Sequence, residues 1–388
     1  MIDACPTLRF GDLKGSRNRR QIFDPSVEIH YTYKGRGAIY QFLRSLTDKG
    51  RNVVLVPAFH CPTVVDPVIR AGYQVDFYDI DQNLNINHQD LLNKIDKNVA
   101  VLIVVNFFGF SAELDGIQQE CTRSGCIVLE DCSHSFLNAN PCRLAGDQGD
   151  AATFSFWKIV PSHVGGGLRI NSKHVRFEPP NGKVPIRDSI VRGKRLFEQA
   201  VNNADDGFLK SAFNYLESKR VGRETAPPRD EPALRRTAED AYPVRAEIFS
   251  VKMPWTARRI LHAADLEAVV HARRNNFLTI HENLRETRKL RKIFSCLPDD
   301  VCPWAYPVIL IGRSEIDYRL RGMEVPLFTF GEVLHPHLYA VHRSNGAQVA
   351  SAEFLSQNLL CFSVHQNLTH SQVSEFCEKI NRFMRNLS

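Results

Sequence analysis

Four short motifs in the first half of this 388-residue chain carry side chains that could do chemistry. Gly35-Arg-Gly-Ala38 has the form of a helix start. Glu130-Asp-Cys-Ser-His134 ends one β-branched run, Phe154-Ser-Phe-Trp-Lys158 ends another, and Gly165-Gly-Gly167 comes a few residues later. Each is weak alone, because glycine pairs and acids at strand ends are common. Together they offer an amine, a carboxylate and an anion cradle. Lys158 stands among Phe154, Phe156 and Trp157; apolar surroundings disfavour an ammonium, so the amine is available as a nucleophile and proton carrier. Asp131 is a carboxylate able to hold a protonated ring nitrogen. The helix start at Gly37 and Ala38, with Arg36 and Ser155, offers N–H groups, a guanidinium and a hydroxyl to a phosphate. An amine that forms a Schiff base, a carboxylate and a phosphate site are what pyridoxal 5'-phosphate requires.

Each residue also has a plain structural alternative. Asp131 could cap a helix, Lys158 and Arg36 could be solvated, and His134 could be an interior histidine with satisfied nitrogens. His163, near the glycines, reads as structural.

The elements that must position these groups alternate along the chain. Asn52–Val56, Gln74–Tyr78, Val101–Val105 and Cys126–Glu130 read as buried strands, with Ala151–Ser155 and Gly167–Ile170 as weaker ones. Helical patterns at Gly37–Leu46, Thr63–Ala71 and Leu114–Arg123 lie between them. Continuous apolar strands separated by helices predict an α/β fold with a mainly parallel central sheet covered on both faces. Ligands gather at the C-terminal ends of such strands, where three of the four motifs fall. From Ser172 to Tyr242 the pattern lapses, and a segment at about 215–243, rich in charge and proline, reads as a mobile surface loop. One long helical pattern runs from Pro254 towards Leu290, followed by a strand at Tyr306–Ile311. Thr369 and Gln372 form a capping box for a final helix with Val373, Phe376, Ile380 and Phe383 on its apolar face. The expected division is a large cofactor-binding domain, residues 1–245, and a smaller C-terminal α+β domain, residues 246–388.

Composition narrows the field. Hydrophobic residues make up 43% and charged residues 24%, which argues against a disordered chain or a small disulfide scaffold. A net charge of +6 is a mild excess, too small to point to nucleic acid and suited to a phosphorylated small molecule. The ten cysteines include no C-x-x-C pair, so no metal site is expected and the thiols read as packing residues of a reducing compartment. The first 20 residues show no apolar signal segment and no run is long enough for a bilayer, so a cytoplasmic protein without a membrane partner is expected.

The motifs resemble those of the DegT/DnrJ/StrS sugar aminotransferases, within the fold type I PLP-dependent transferases. Val56-Pro-Ala-Phe-His-Cys-Pro with Ala71-Gly72 and Phe77-Tyr-Asp-Ile-Asp81 is similar to a family run, as is Val104-Val-Asn-Phe-Phe-Gly109 with Asp115. Glu130-Asp131 resembles the acidic pair whose second member meets the pyridine nitrogen. His134 takes the place of a residue beside the ring hydroxyl, and Phe154-Ser-Phe156 that of the phosphate serine. Lys158 precedes Gly165 by the family's spacing of seven residues. Leu360-Cys-Phe-Ser-Val-His365 resembles a late strand, and His335 with His337 a late loop on the substrate side. The chain departs in having one residue, Trp157, between the Ser-Phe pair and the lysine, where many members have three. Cys61 holds the place of the aromatic that stacks on the cofactor, with Phe59 and His60 as alternative stackers. No match to the family's Gly-x-Asn-x-Arg is evident.

The resemblance implies transfer of an amino group from glutamate or glutamine to a nucleotide-linked keto-sugar, by a homodimer. It implies Lys158 as the catalytic residue. The implied cofactor contacts are Arg36, Gly37, Ala38, Cys61, Asp131, His134, Ser155 and Lys158. The alternatives are a PLP- or PMP-dependent sugar dehydratase, in whose relatives a histidine replaces the lysine, and a PLP-binding regulatory protein without turnover. An unrelated nucleotide-binding α/β protein has no phosphate-loop motif to support it.

Overall fold

The β-branched runs form the interior of a seven-stranded sheet in the computed structural model. The described residues are 5–13, 27–46, 50–140, 144–173, 186–203, 246–345 and 349–387, with 175, 177, 179, 182–184 and 211. The strands are β1 (His30–Thr32), β2 (Val53–Pro57), β3 (Gln74–Tyr78), β4 (Val99–Val105), β5 (Ile127–Cys132), β6 (Ala151–Ser155) and β7 (Gly166–Ile170). Their spatial order is β1-β7-β6-β5-β4-β2-β3. Strands β3, β2, β4, β5 and β6 run parallel, and β7 and β1 add an antiparallel edge. Every residue of β4 is buried, as a strand covered on both faces requires. Each buried Val, Leu or Ile there contributes about 1.5–3 kcal/mol.

Helices α1 (Gly35–Ser45), α2 (Pro62–Ala71), α3 (His88–Lys94) and α4 (Ile117–Ser124) link the strands. Strand β1 was not expected: His-Tyr-Thr is too short to declare itself and is fixed by pairing with β7. The stretch after Ser172, where no pattern was visible, contains α5 (Ile186–Asn202). The charged segment at 215–243 lies outside the described residues.

The long helical pattern after Pro254 is two helices, α6 (Trp255–Ala263) and α7 (Leu266–Asn283). The break falls at Asp265, whose side chain accepts from the Ala268 N–H at 3.0 Å and caps α7. Beyond it lies a four-stranded antiparallel sheet of β8 (Leu290–Lys292), β9 (Ala305–Leu310), β10 (Leu327–Phe328) and β11 (Leu359–Ser363), in the order β10-β11-β9-β8. Helices α8 (Arg313–Arg321), α9 (Pro336–Asn345), α10 (Ala350–Asn358) and α11 (His370–Arg385) complete this part. The Thr369–Gln372 capping box is present, and Val373, Phe376 and Ile380 of α11 are buried. None of the described cysteines is in a disulfide. No helix among the described residues is long and apolar enough to cross a membrane.

One close approach positions the site. A Cβ on Gly166 of β7 would lie 2.3 Å from the carbonyl carbon of Lys34 and 2.5 Å from the Gly35 nitrogen, so the start of α1 presses directly on the strand. Backbone atoms cannot swing aside as a side-chain end can. Gly166→Ala is expected to destabilise the protein by about 3 kcal/mol, the upper range for overpacking. Denaturant unfolding measures it, and a cost below about 1 kcal/mol would mean that the contact yields easily.

Candidate active site

The site is built where β5 and β6 end against the start of α1. Strand period places Asp131 and, on β6, Thr153 and Ser155 on one face, with Asp131 directly beside Thr153 in register. A Cβ on Gly35 would meet Ser155 Oγ at 2.5 Å and Ser133 Oγ at 3.2 Å. Only glycine lets the helix start come this near to both hydroxyls. Lys34 gives α1 no side-chain cap. The N–H groups of Gly37 and Ala38 bond back to the Lys34 carbonyl at 2.9 and 3.3 Å, closing the first turn. Gly35 and Arg36 come before the first of those bonds, at the positive end of the helix dipole. Ala38 is fully buried and faces the core. Thr153 Oγ1 is buried with no hydrogen-bond partner, which is uncommon for a buried hydroxyl.

The adjacent acids of β5 have separate work. Glu130 Oε1 accepts from the N–H groups of Gln148 and Gly149 at 2.8 and 2.6 Å, and Glu130 Oε2 accepts from Asn106 Nδ2 at 3.1 Å. Those bonds tie the turn before β6 and the exit of β4 to β5. Asp131 points the other way, is 4% exposed, and uses Oδ1 to accept from the Ser133 N–H at 2.9 Å.

Lys158 lies in a 3₁₀ turn (Phe156–Lys158) directly after β6. Its amine stands 4.8 Å from the centre of the Trp304 ring. Burial pulls its pKa below the ordinary lysine value, opposed by Cys61 and Asp131 nearby. The His134 ring stacks on Trp304 with centres 3.9 Å apart. Its Nδ1 accepts from the Phe108 N–H at 3.3 Å, which puts the proton on Nε2. Burial, reinforced by Lys158, holds its pKa well below the usual histidine range, so the ring is neutral. Phe108 adopts a left-handed backbone, φ 58°, and its carbonyl accepts from the Trp304 N–H at 2.8 Å. A bulky residue held there carries local strain of about 1–3 kcal/mol.

The structure thus gathers Asp131, His134, Ser155, Lys158 and the α1 start, with Cys61 within electrostatic reach of Lys158. The Cys61 thiol precedes α2 and lies 3.1 Å from Thr63 Oγ1. Phe59 and His60 are fully buried: Phe59 packs on Phe107 and on Phe330, which in turn meets His134, and His60 packs on Phe77. His335 pairs with Asp66 at 3.4 Å, and its N–H donates to His60 Nε2 at 3.4 Å. His163 pairs with Gln199 at 2.8 Å.

Sequence reasoning missed Ser133, Trp304 and Arg273. Arg273 had left a signal. It falls on the apolar stripe of α7 with Leu266, Val270, Phe277 and Ile280, where a cation needs a reason. Trp304, just before β9, left none.

Burial drives the His60 pKa down to about 4 against the two carbonyl bonds made by its Nδ1. Below pH 6.5 the unfolded chain takes up this proton before the folded one, so stability falls as pH drops from 6.5 towards 4. His60 alone accounts for roughly 3 kcal/mol across that window. Unfolding free energies measured at several pH values should show a shallower acid limb in His60→Gln, and an unchanged slope would count against a neutral buried His60.

The order of this sheet, with its antiparallel edge at β7 and a smaller antiparallel sheet beyond it, is the fold of solved aminotransferases. Residues 32–168 match the DegT/DnrJ/EryC1/StrS aminotransferase family. The chain is 25% identical over 256 residues to GDP-perosamine synthase of Vibrio cholerae, covering 64% of this chain and 68% of that protein. It is 32% identical over 129 residues to the spore coat polysaccharide biosynthesis protein SpsC of Bacillus subtilis, 32% of this chain but only 33% of that protein. Among solved structures, PseC of Helicobacter pylori, an aminotransferase involved in the biosynthesis of pseudoaminic acid, superposes with a TM-score of 0.66. That match covers 98% of each chain at 15% identity and bears on the fold.

Proposed function

We propose that this chain uses pyridoxal 5'-phosphate to transfer an amino group from glutamate or glutamine to a keto-sugar, with a nucleotide as the sugar's carrier. The observation that carries the reading is the buried amine of Lys158, shifted towards its neutral form beside Asp131. The fit of the cofactor is supported by the Gly35 contact with Ser155 and Ser133, which leaves a helix start and two hydroxyls for a phosphate. The unpartnered Thr153 hydroxyl beside Asp131 is a further polar atom awaiting a ligand.

When bound, pyridoxal phosphate supplies an aldehyde carbon and a ring that accepts electrons from the reacting carbon. In this reading Lys158 Nζ is the nucleophile towards that aldehyde and, once released, carries the proton on and off the substrate carbon. Asp131 holds the positive charge of the ring nitrogen. Ser133, Ser155 and the N-terminus of α1 at Gly35 and Arg36 hold the phosphate, while Gly37 and Ala38 close the turn that presents them. His134, neutral and stacked on Trp304, lies beside the ring, and Trp304 shields Lys158 from water. Cys61 stands on the ring side of Lys158. Residues 1–245 form the cofactor-binding part of this arrangement and 246–388 the part that covers it.

The perosamine synthase relative supports a nucleotide-linked sugar as acceptor. The purified protein is expected to absorb in the visible, borohydride should fix the chromophore on the Lys158 peptide, and glutamate should bleach it. Absence of a chromophore, or one fixed on another peptide, would overturn the site. A chromophore indifferent to every amino donor would favour a binding protein without turnover. Lys158 itself weighs against the dehydratase reading.

A homodimer belongs to this proposal. Helix α5 leaves Ile190 66% and Phe197 54% exposed, an apolar strip that a second copy would cover. Sedimentation is expected to give twice the monomer mass, and a monomer at micromolar concentration would remove this part.

A further inference from the structure

Arg273 of α7 is fully buried. Its Nη2 donates to the carbonyls of Lys158 and Ile159, each at 3.4 Å, and its Nη1 to those of Pro303 and Trp304 at 3.4 and 3.2 Å. The Ile159 carbonyl also accepts from Gln366 Nε2 at 3.0 Å. None of these partners is a carboxylate, and Arg273 Nε has no partner. Burial lowers its pKa to about 10, so it stays charged at neutral pH. A buried cation held only by carbonyl dipoles is costly, and an apolar side chain at this place in the stripe would pack at lower cost. What the charge achieves is geometric. It joins the segment that carries Lys158 to the segment that carries Trp304, whose ring lies 4.8 Å from the Lys158 amine.

We infer that Arg273 is a positioning residue for Lys158, clamping the lysine's backbone to the Trp304 segment so that amine and aromatic wall keep one fixed relation. This inference rests on the reading of Lys158 as the group that holds the cofactor. A planar guanidinium spans four carbonyls, whereas an ammonium reaches one or two, so lysine is a poor substitute. Displacing a reacting group by about 1 Å costs about a hundredfold in rate.

The test compares wild type with Arg273→Lys, Arg273→Met and Gln366→Leu. Two readouts are used. One is the pH dependence of Lys158 labelling by fluorodinitrobenzene in cofactor-free protein, followed by peptide mass. The other is the separation of kcat from KM with glutamate. Arg273→Met is expected to shift the labelling midpoint and lower kcat about a hundredfold, with KM within about threefold. Arg273→Lys should recover part of both effects. Gln366→Leu, which removes one donor from the Ile159 carbonyl, should lower kcat about tenfold. A folded Arg273 variant with an unchanged labelling midpoint and kcat within about twofold of wild type overturns the clamp. If neither Arg273 variant folds, Gln366→Leu decides, and an unchanged kcat and midpoint there overturns it too. Failure of borohydride to fix the cofactor on wild-type Lys158 would instead defeat the functional reading, so the two failures are distinguishable.

Discussion

Lys158→Ala is expected to lower turnover by about 10³-fold or more while leaving the protein folded. Two effects combine. In the proposed reaction the nucleophile towards the aldehyde would disappear, and so would the group assigned to carry the substrate's proton. The fold should tolerate the change because Lys158 sits in a turn after β6 and its amine is a burden there: burial favours the neutral form. In the pH range between its lowered folded pKa and the ordinary lysine value, the unfolded chain binds the proton that the folded chain resists. Stability therefore rises with pH through that window, and alanine should flatten the rise. Turnover with glutamate, borohydride trapping and denaturant unfolding at pH 7 and pH 9.5 measure all three expectations. Residual turnover above about a tenth of wild type would place the proton carrier elsewhere.

Asp131→Asn separates charge from shape. Asparagine keeps an oxygen for the Ser133 N–H that Asp131 Oδ1 accepts, so the turn after β5 should survive and stability should change by less than about 1 kcal/mol. The loss falls on electrostatics. A neutral amide cannot hold a positive ring nitrogen, and kcat is expected to drop about 10²–10³-fold. Lys158 should respond as well. Asp131's charge favours its ammonium, so removing it moves the Lys158 pKa further down and the acid limb of the rate profile to lower pH. A variant within tenfold of wild type, with an unmoved acid limb, would reduce Asp131 to a turn cap.

Much of the large sheet was legible because parallel strands covered on both faces must be apolar at every position. Val99–Val105 announces itself in that way, whereas Gln74–Tyr78, at the sheet edge with Gln74 exposed and Asp76 half-buried, shows alternation instead. Strand β1 does not, since its strand character comes from Leu168, Gly167 and Gly166 opposite. Asp265 divides α6 from α7 without a glycine or proline, and reading Asp265 as a cap would have found the break. Asp131 and Lys158, which the structure brings near each other, could be singled out in the sequence because both fall at the ends of adjacent strands. Trp304 reaches Lys158 only through the packing of the C-terminal part. No local pattern reports such a contact. Phe59 packs on Phe107 and Phe330, and His60 lies between Phe77 and the His335 N–H, contacts that are likewise tertiary and leave no local pattern.

Glu130 and Asp131 share one strand and face opposite ways, Glu130 pinning the turn before β6 and Asp131 looking into the site. Their pairing sets β5 against β4 and β6 at once. A slip of one residue would exchange the two acids, placing a longer carboxylate in the site and a shorter one under the turn. The hydrogen-bond ladders on either side of β5 therefore act as a proofreader of chemistry. A chain misregistered there could keep much of its secondary structure and still emerge from folding inert, so recovered activity, more than recovered helicity, would measure the correctly refolded fraction.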